Sequence, residues 1–164
     1  MIKSILVATD GSSHAKKALS LASDLAAKYG ARLFLAHVLL THARSETLHT
    51  LAIRSSLSKK QRDLLDNYEA DFQMDVAVGG GDVGFITIPP PRARVEAIGK
   101  QIMGRAEKIA AKAGVKKVTP VVLEGDPAEV ILNLAAQHKT DMIILGSRGL
   151  SDFKGLLLGS VSHK

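Results

Sequence analysis

Three glycines and the hydroxyl residues that follow the last of them are the part of this sequence best suited to chemistry. Two residues separate Gly146 from Gly149, nine separate Gly149 from Gly159, and Ser160, Val161 and Ser162 come directly after. Glycine tolerates positive φ and lets a ligand come close to the backbone. Successive N–H groups in such a loop form a concave nest for an anion. If residues 159–162 open a helix, its unpaired N–H donors face the same anion, and the hydroxyls of Ser160 and Ser162 add further donors. Arg148, between the first two glycines, adds positive charge. This spacing offers a cradle for phosphate groups.

The other chemistry-bearing residues give weaker signals. Asp10 follows an apolar run and either caps the next helix or meets a ligand at the strand end. His14, His37, His42, His49, His138 and His163 show no H-E-x-x-H or comparable metal spacing. His37 lies in an apolar segment and reads as a satisfied core or strand-end histidine. Ser160 and Ser162 have no evident base and sit in no G-x-S-x-G elbow, which argues against nucleophilic catalysis. The letters of G-x-G-x-x-G recur at 79–84, but Phe85 and three prolines at 89–91 follow where a dinucleotide fold needs a helix. There is no Walker A sequence. Cysteine is absent, so disulfides and cysteine-based zinc sites are excluded.

The elements that must position the glycine loop are legible in the apolar pattern. The 164 residues suit one domain. Hydrophobic residues make up 46% and aromatic ones 4%, so the core is aliphatic, as in a buried parallel sheet covered by helices. Residues 4–9 form a continuous apolar run and read as a buried strand. A helix follows from the turn at 10–13, where Ala15, Ala18, Ala22, Leu25 and Tyr29 recur at helical spacing, and Gly30 ends it. Residues 31–39 are a second strand. A helix is expected within 45–70 and a mobile, extended connection over 76–91, where triple glycine and triple proline stand close together. Val95, Ile98, Ile102, Ala106, Ile109 and Ala113 form another helical stripe, ended by Gly114. Residues 118–123 are the third strand. Asp126 and Pro127 open a helix, and 141–145 is the fourth strand. Strands alternating with helices predict an α/β layer fold with a parallel sheet. Both strand-to-glycine turns, at Asp10-Gly11 and Leu145-Gly146, then fall at the carboxyl edge, where open α/β sheets bind ligands.

Charge and targeting bound the partners. The net charge is +6 and the pI about 9.7, which favours acidic partners. The lysines come in scattered pairs without interleaved aromatics, which argues against nucleic acid. The start has no signal-peptide h-region and no stretch is long enough for a membrane span, so a cytoplasmic protein is expected.

The sequence resembles the ATP-binding subgroup of the universal stress protein family. The pattern Gly-x2-Gly-x9-Gly-Ser/Thr at 146–160 matches that subgroup's nucleotide signature. The opening at 5–12, Ala36-His37-Val38, the segment 124–127 and the segment 141–149 are also similar to it, in the same order. The resemblance covers about residues 1–39 and 92–164 and implies a single domain over 1–164 with an insert at 40–91. It implies a three-layer α/β sandwich with a parallel sheet in the order 3-2-1-4-5. It also implies ATP carried with Mg²⁺, slow hydrolysis at most, a nucleotide-dependent regulatory role in stress response, and a homodimer. The residues it assigns to the nucleotide are Ala8, Thr9, Asp10, Val38, Gly146, Arg148, Gly149, Gly159, Ser160, Val161 and Ser162. Ala8 and Val38 would border the adenine, Asp10 would stand by the ribose or phosphates, and the glycine loop would surround ribose and phosphates. The sequence departs from the family in its long insert after the second strand, and no segment after 145 reads as the fifth strand that often makes the dimer contact. A non-nucleotide interaction scaffold of the same fold is the alternative. An adenylate-transferring enzyme is disfavoured, because neither His-x-Gly-His nor Ser-Gly-Gly-x-Asp-Ser occurs.

Overall fold

The computed structural model describes residues 1–39, 92–149 and 161–162. The helix expected within 45–70 and the connection at 76–91 lie outside the described residues.

Each helix begins and ends where local chemistry dictates. Ser12 is the N-cap of α1 (Ser13–Tyr29), its hydroxyl accepting from the amide of Ala15 at 3.1 Å. Gly30 closes that helix in the left-handed region, at φ 64°, a conformation glycine adopts without strain. The chain then enters β2 (Arg32–Leu39) beside β1 (Ser4–Ala8). The long helix α2 (Arg92–Lys112) leads into β3 (Val118–Glu124). Asp126 caps α3 (Pro127–His138), accepting from the amides of Ala128 and Glu129 at 3.1 Å each. Pro127 stands in the first turn, where no amide hydrogen is needed.

The four strands of the described residues form one parallel sheet in the order β3-β2-β1-β4, where β4 is Met142–Ile144. Val7 pairs with Leu35 and Ile144, and Ala36 with Val121. The fourth strand is shorter than its apolar run. Asp141 instead ties the strand starts together, its carboxylate accepting from the amides of Lys3 at 2.7 Å and Ser4 at 2.9 Å.

Alternation splits the core into two faces. Ile5, Val7, Leu33 and Leu35 pack with α1 and α2. Leu6, Phe34 and Ala36 pack with Ile131, Leu134 and Ala135 of α3. The result is a helix–sheet–helix sandwich with all strands ending at one edge. The chain runs from β1 to β2 and β3 on one side, and β4 lies on the other side of β1. The strand order therefore reverses between β1 and β4, the position where a ligand crevice forms in this architecture. Among the described residues no helix is long and apolar enough to cross a membrane.

Candidate functional site

At the reversal point the turn after β1 and the loop after β4 lie against each other. Thr9 extends β1 by one hydrogen bond, its amide donating to the Ala36 carbonyl at 2.9 Å. Asp10 then turns the chain, its Oδ1 accepting from the amide of Ser12 at 2.9 Å. Ser12, not Asp10, caps α1. Asp10 shapes the turn from one carboxylate oxygen and keeps the other, Oδ2, toward the glycine loop.

The loop needs its glycines for space. A Cβ on Gly149 would stand 2.7 Å from Asp10 Oδ2. A Cβ on Gly146 would stand 2.8 Å from the Ala15 amide nitrogen and 2.9 Å from the His14 carbonyl carbon. All three distances are shorter than any ordinary contact, so the loop lies directly on the Asp10 turn and the first turn of α1. Ser147 Oγ and His14 Nδ1 are 3.3 Å apart, and Ser162 Oγ donates to the Ser147 carbonyl at 3.2 Å. The second contact returns the end of the glycine motif to its beginning. Arg148 is exposed beside it.

The apolar side of the site is formed by Ala8, Val38 and Val161. All three are partly buried and pack on the α3-side core, with Leu123 and Leu145. Thr9 is separated from this group. Its side chain lines a cleft of about 430 Å³ on the α1–α2 side of the sheet, with Gly11, Ser12, Lys16 and Arg105. Gly159 and Ser160 lie outside the described residues. The structure thus brings together Ala8, Asp10, Val38, Gly146, Arg148, Gly149, Val161 and Ser162 at one edge.

His37 lies beside this edge on β2. It is buried, and its Nδ1 is 2.8 Å from the Thr9 carbonyl oxygen. A carbonyl only accepts, so Nδ1 carries the hydrogen. Burial lowers the pKa of the imidazole from its ordinary 6.5, and the Thr9 bond and the charge of Asp10 oppose that shift. His37 therefore acts as a satisfied strand-end residue that fixes the Thr9–Asp10 turn. Among the described residues no group of three or more His, Asp or Glu side chains could hold a metal ion.

Sequence reasoning missed His14 and Ser147. Ser147 sits inside the glycine motif, but its partner is 133 positions away, and no local pattern reports such a contact. It also missed why position 146 is glycine. The cause is the backbone of α1, which only the tertiary fold brings there.

The whole chain, residues 1–164, matches the group described as "Universal stress protein family". It is 31% identical over 164 residues to the universal stress protein YxiE of Bacillus subtilis strain 168, spanning 100% of this chain and 91% of that one. It is 30% identical over 168 residues to the universal stress protein in the QAH/OAS sulfhydrylase 3′ region of Thermus aquaticus, covering 100% of this chain and 90% of that one. Among solved structures, the universal stress protein UspA from Lactobacillus plantarum superposes with a TM-score of 0.63 at 19% identity, over 99% of this chain and 88% of that one. A universal stress protein in complex with cAMP superposes with a TM-score of 0.57 at 21% identity, over 98% and 84%. At these identities the structural likeness speaks for the fold.

Proposed function

This chain belongs to the universal stress protein family, and on that premise we propose that it binds ATP at the carboxyl edge of its sheet and serves as a nucleotide-dependent regulatory module of stress response, with slow hydrolysis at most. The observation that carries the proposal is the close approach of Gly149 to the Asp10 carboxylate, 2.7 Å for an added Cβ. It sets the glycine loop against an acidic side chain at the strand reversal, where a ribose and phosphates are bound in folds of this type.

The roles follow from the chemistry. Ala8, Val38 and Val161 supply the apolar wall for an adenine, and Thr9 contributes through its backbone at the end of β1. Asp10 suits the ribose hydroxyls. Gly146, Arg148, Gly149 and Ser162, with Gly159 and Ser160 beyond the described residues, suit the phosphates through amides, a guanidinium and hydroxyls. Mg²⁺ fits the same donor set. It favours phosphate and water oxygens with one or two protein oxygens, and the Asp10 carboxylate and the Ser162 hydroxyl are the protein oxygens at hand. The ion would neutralise phosphate charge. Among the described residues, the imidazoles near the site are held by other groups. The Nδ1 of His14 is engaged by Ser147, and the buried His37 holds its Nδ1–H on the Thr9 carbonyl. The relative in complex with cAMP supports adenine nucleotides as the class to test. A homodimer belongs to the same reading, and sedimentation of the purified chain checks it.

The test is thermal unfolding of the purified chain against Mg-ATP and against cAMP, with mass spectrometry of any co-purified nucleotide. Binding to the native state raises the midpoint with ligand concentration, by about 2.7 kcal/mol of stability at a hundred times Kd. Gly149→Val is expected to abolish the shift while the transition stays cooperative. A cooperative transition that no adenine nucleotide moves would overturn the proposal in favour of a protein-interaction scaffold. Rapid ATP consumption would contradict its slow-hydrolysis component.

A further inference from the structure

The opposite end of the sandwich, where the strands begin, carries a different charge pattern. Lys3 precedes β1, Arg32 opens β2 and Lys117 precedes β3. Their backbones are locked side by side. The Arg32 amide donates to the Lys3 carbonyl and the Leu33 amide to the Lys117 carbonyl, each at 2.8 Å. Neighbouring strands are about 4.8 Å apart, so the three cations cross roughly 10 Å of sheet edge. Lys28, Lys112 and Lys139 stand behind them at the ends of the three helices, all exposed.

Helix C-termini explain part of this pattern. Each presents about half a negative charge, which a nearby cation complements. Three helices account for about 1.5 charges, no carboxylate lines the space between Lys3, Arg32 and Lys117, and Asp141 nearby is engaged by the Lys3 and Ser4 amides. Six basic side chains and the amine of Met1 exceed that sum. The ion pairs recorded among the described residues, Arg92 with Glu96 and with Glu124, lie at the other edge. A net positive potential therefore remains at the strand starts.

A groove of about 370 Å³ runs between Lys3, Arg32 and Lys117, with Ser4, Phe34 and His138 among its lining. His138 stacks on Phe34 with ring centres 4.4 Å apart, which makes one wall firm. The volume suits a small ligand rather than a macromolecule. Same-side carboxylates of an extended acidic peptide are about 6.6 Å apart, wider than the strand spacing here. Successive phosphates of a condensed chain set their charges closer together than such a peptide does, and lysine is well suited to phosphate as a point charge.

We propose that this strand-start groove binds a condensed phosphate chain of three or more phosphates, free or as the tail of a nucleotide, at a site separate from the crevice at the carboxyl edge. The probe is inorganic tripolyphosphate, titrated calorimetrically into the full chain at low ionic strength, where exposed charges are least screened. The double variant Lys3→Gln/Lys117→Gln is expected to weaken binding at least tenfold. Lys16→Gln/Lys108→Gln, which removes the same charge elsewhere, is expected to weaken it less than twofold. Both pairs are exposed, and an unchanged thermal midpoint confirms the fold of each variant. No binding by the unaltered chain, an equal loss in both double variants, or equally tight binding of an oligoglutamate of the same charge would each overturn the proposal. The source is separated in a Gly149→Val background. ATP that still binds there, and is lost with Lys3→Gln/Lys117→Gln, identifies a nucleotide tail. Tripolyphosphate binding without ATP binding identifies free condensed phosphate.

Discussion

Gly146 has no room for a side chain, because the amide of Ala15 and the carbonyl carbon of His14 occupy the space. Backbone atoms of a capped helix turn cannot step aside as a flexible side chain can. Gly146→Ala is therefore expected to destabilise the protein by about 1–3 kcal/mol, the usual cost of overpacking, measured by urea unfolding. Gly149 is different, since its obstacle is the Asp10 carboxylate, and substitution there acts first on the site. His37 makes a prediction about pH. Its pKa is lowered in the folded protein chiefly by burial, so the unfolded chain takes up a proton near pH 6.5 while the native state resists. Stability is complete above about 6.5 and falls as pH drops from there toward the lower folded value, by at most about 1.4 kcal/mol per unit. Unfolding free energies between pH 7.5 and 5 check this, and His37→Gln is expected to flatten the slope over that range. An unchanged slope would mean that the imidazole takes up its proton equally in the native and the unfolded chain.

At the scale of elements, the caps were readable because they are local. Asp126 accepts from amides within three residues and Gly30 stands where a left-handed residue is required, while the turn at 10–13 offered several cap residues and the structure uses Ser12 rather than Asp10. Gly99 was not readable. It lies inside α2, where glycine lowers helix propensity by about 1 kcal/mol, and nothing nearby in sequence accounts for it. Its role is contact. A Cβ there would stand 2.9 Å from Leu39 Cδ2 and 3.1 Å from His37 Cδ2, so the glycine lets α2 approach β2 at its carboxyl end. Gly99→Val is expected to lower stability by about 1–3 kcal/mol through overpacking, despite ending the glycine penalty. A gain in the midpoint of denaturation would show that α2 shifts freely and that the close approach is incidental.

At the scale of the molecule, β1 and β2 belong to both halves of the core. Leu35 faces α1 and α2, and its neighbours Phe34 and Ala36 face α3. Damage to either face is felt by the shared strands. Leu35→Ala is expected to cost about 2–5 kcal/mol and to leave a single transition, with circular dichroism and hydrogen exchange of β1 amides reporting the same loss. Separate transitions for the two probes would mean that the α3 layer folds independently. The same architecture divides the surface. Strand ends gather the glycine loop and Asp10 at one edge, and strand starts gather Lys3, Arg32 and Lys117 at the other.

The sequence by itself determined the order of the described elements, the aliphatic core, the glycine end of α1, the Asp126 cap of α3, and the glycine spacing that marks the loop, because periodicity, capping and φ preference act over a few residues. It named Asp10 and Gly149 as candidates without showing that they touch. Tertiary structure alone decided that Ser162 reaches Ser147, that Gly146 yields to the backbone of α1, that the Thr9 side chain faces the cleft away from Val38, and that three cations from separate segments share one groove. Those facts depend on the order β3-β2-β1-β4, which sets side by side residues far apart along the chain, and no short-range pattern encodes such a distance.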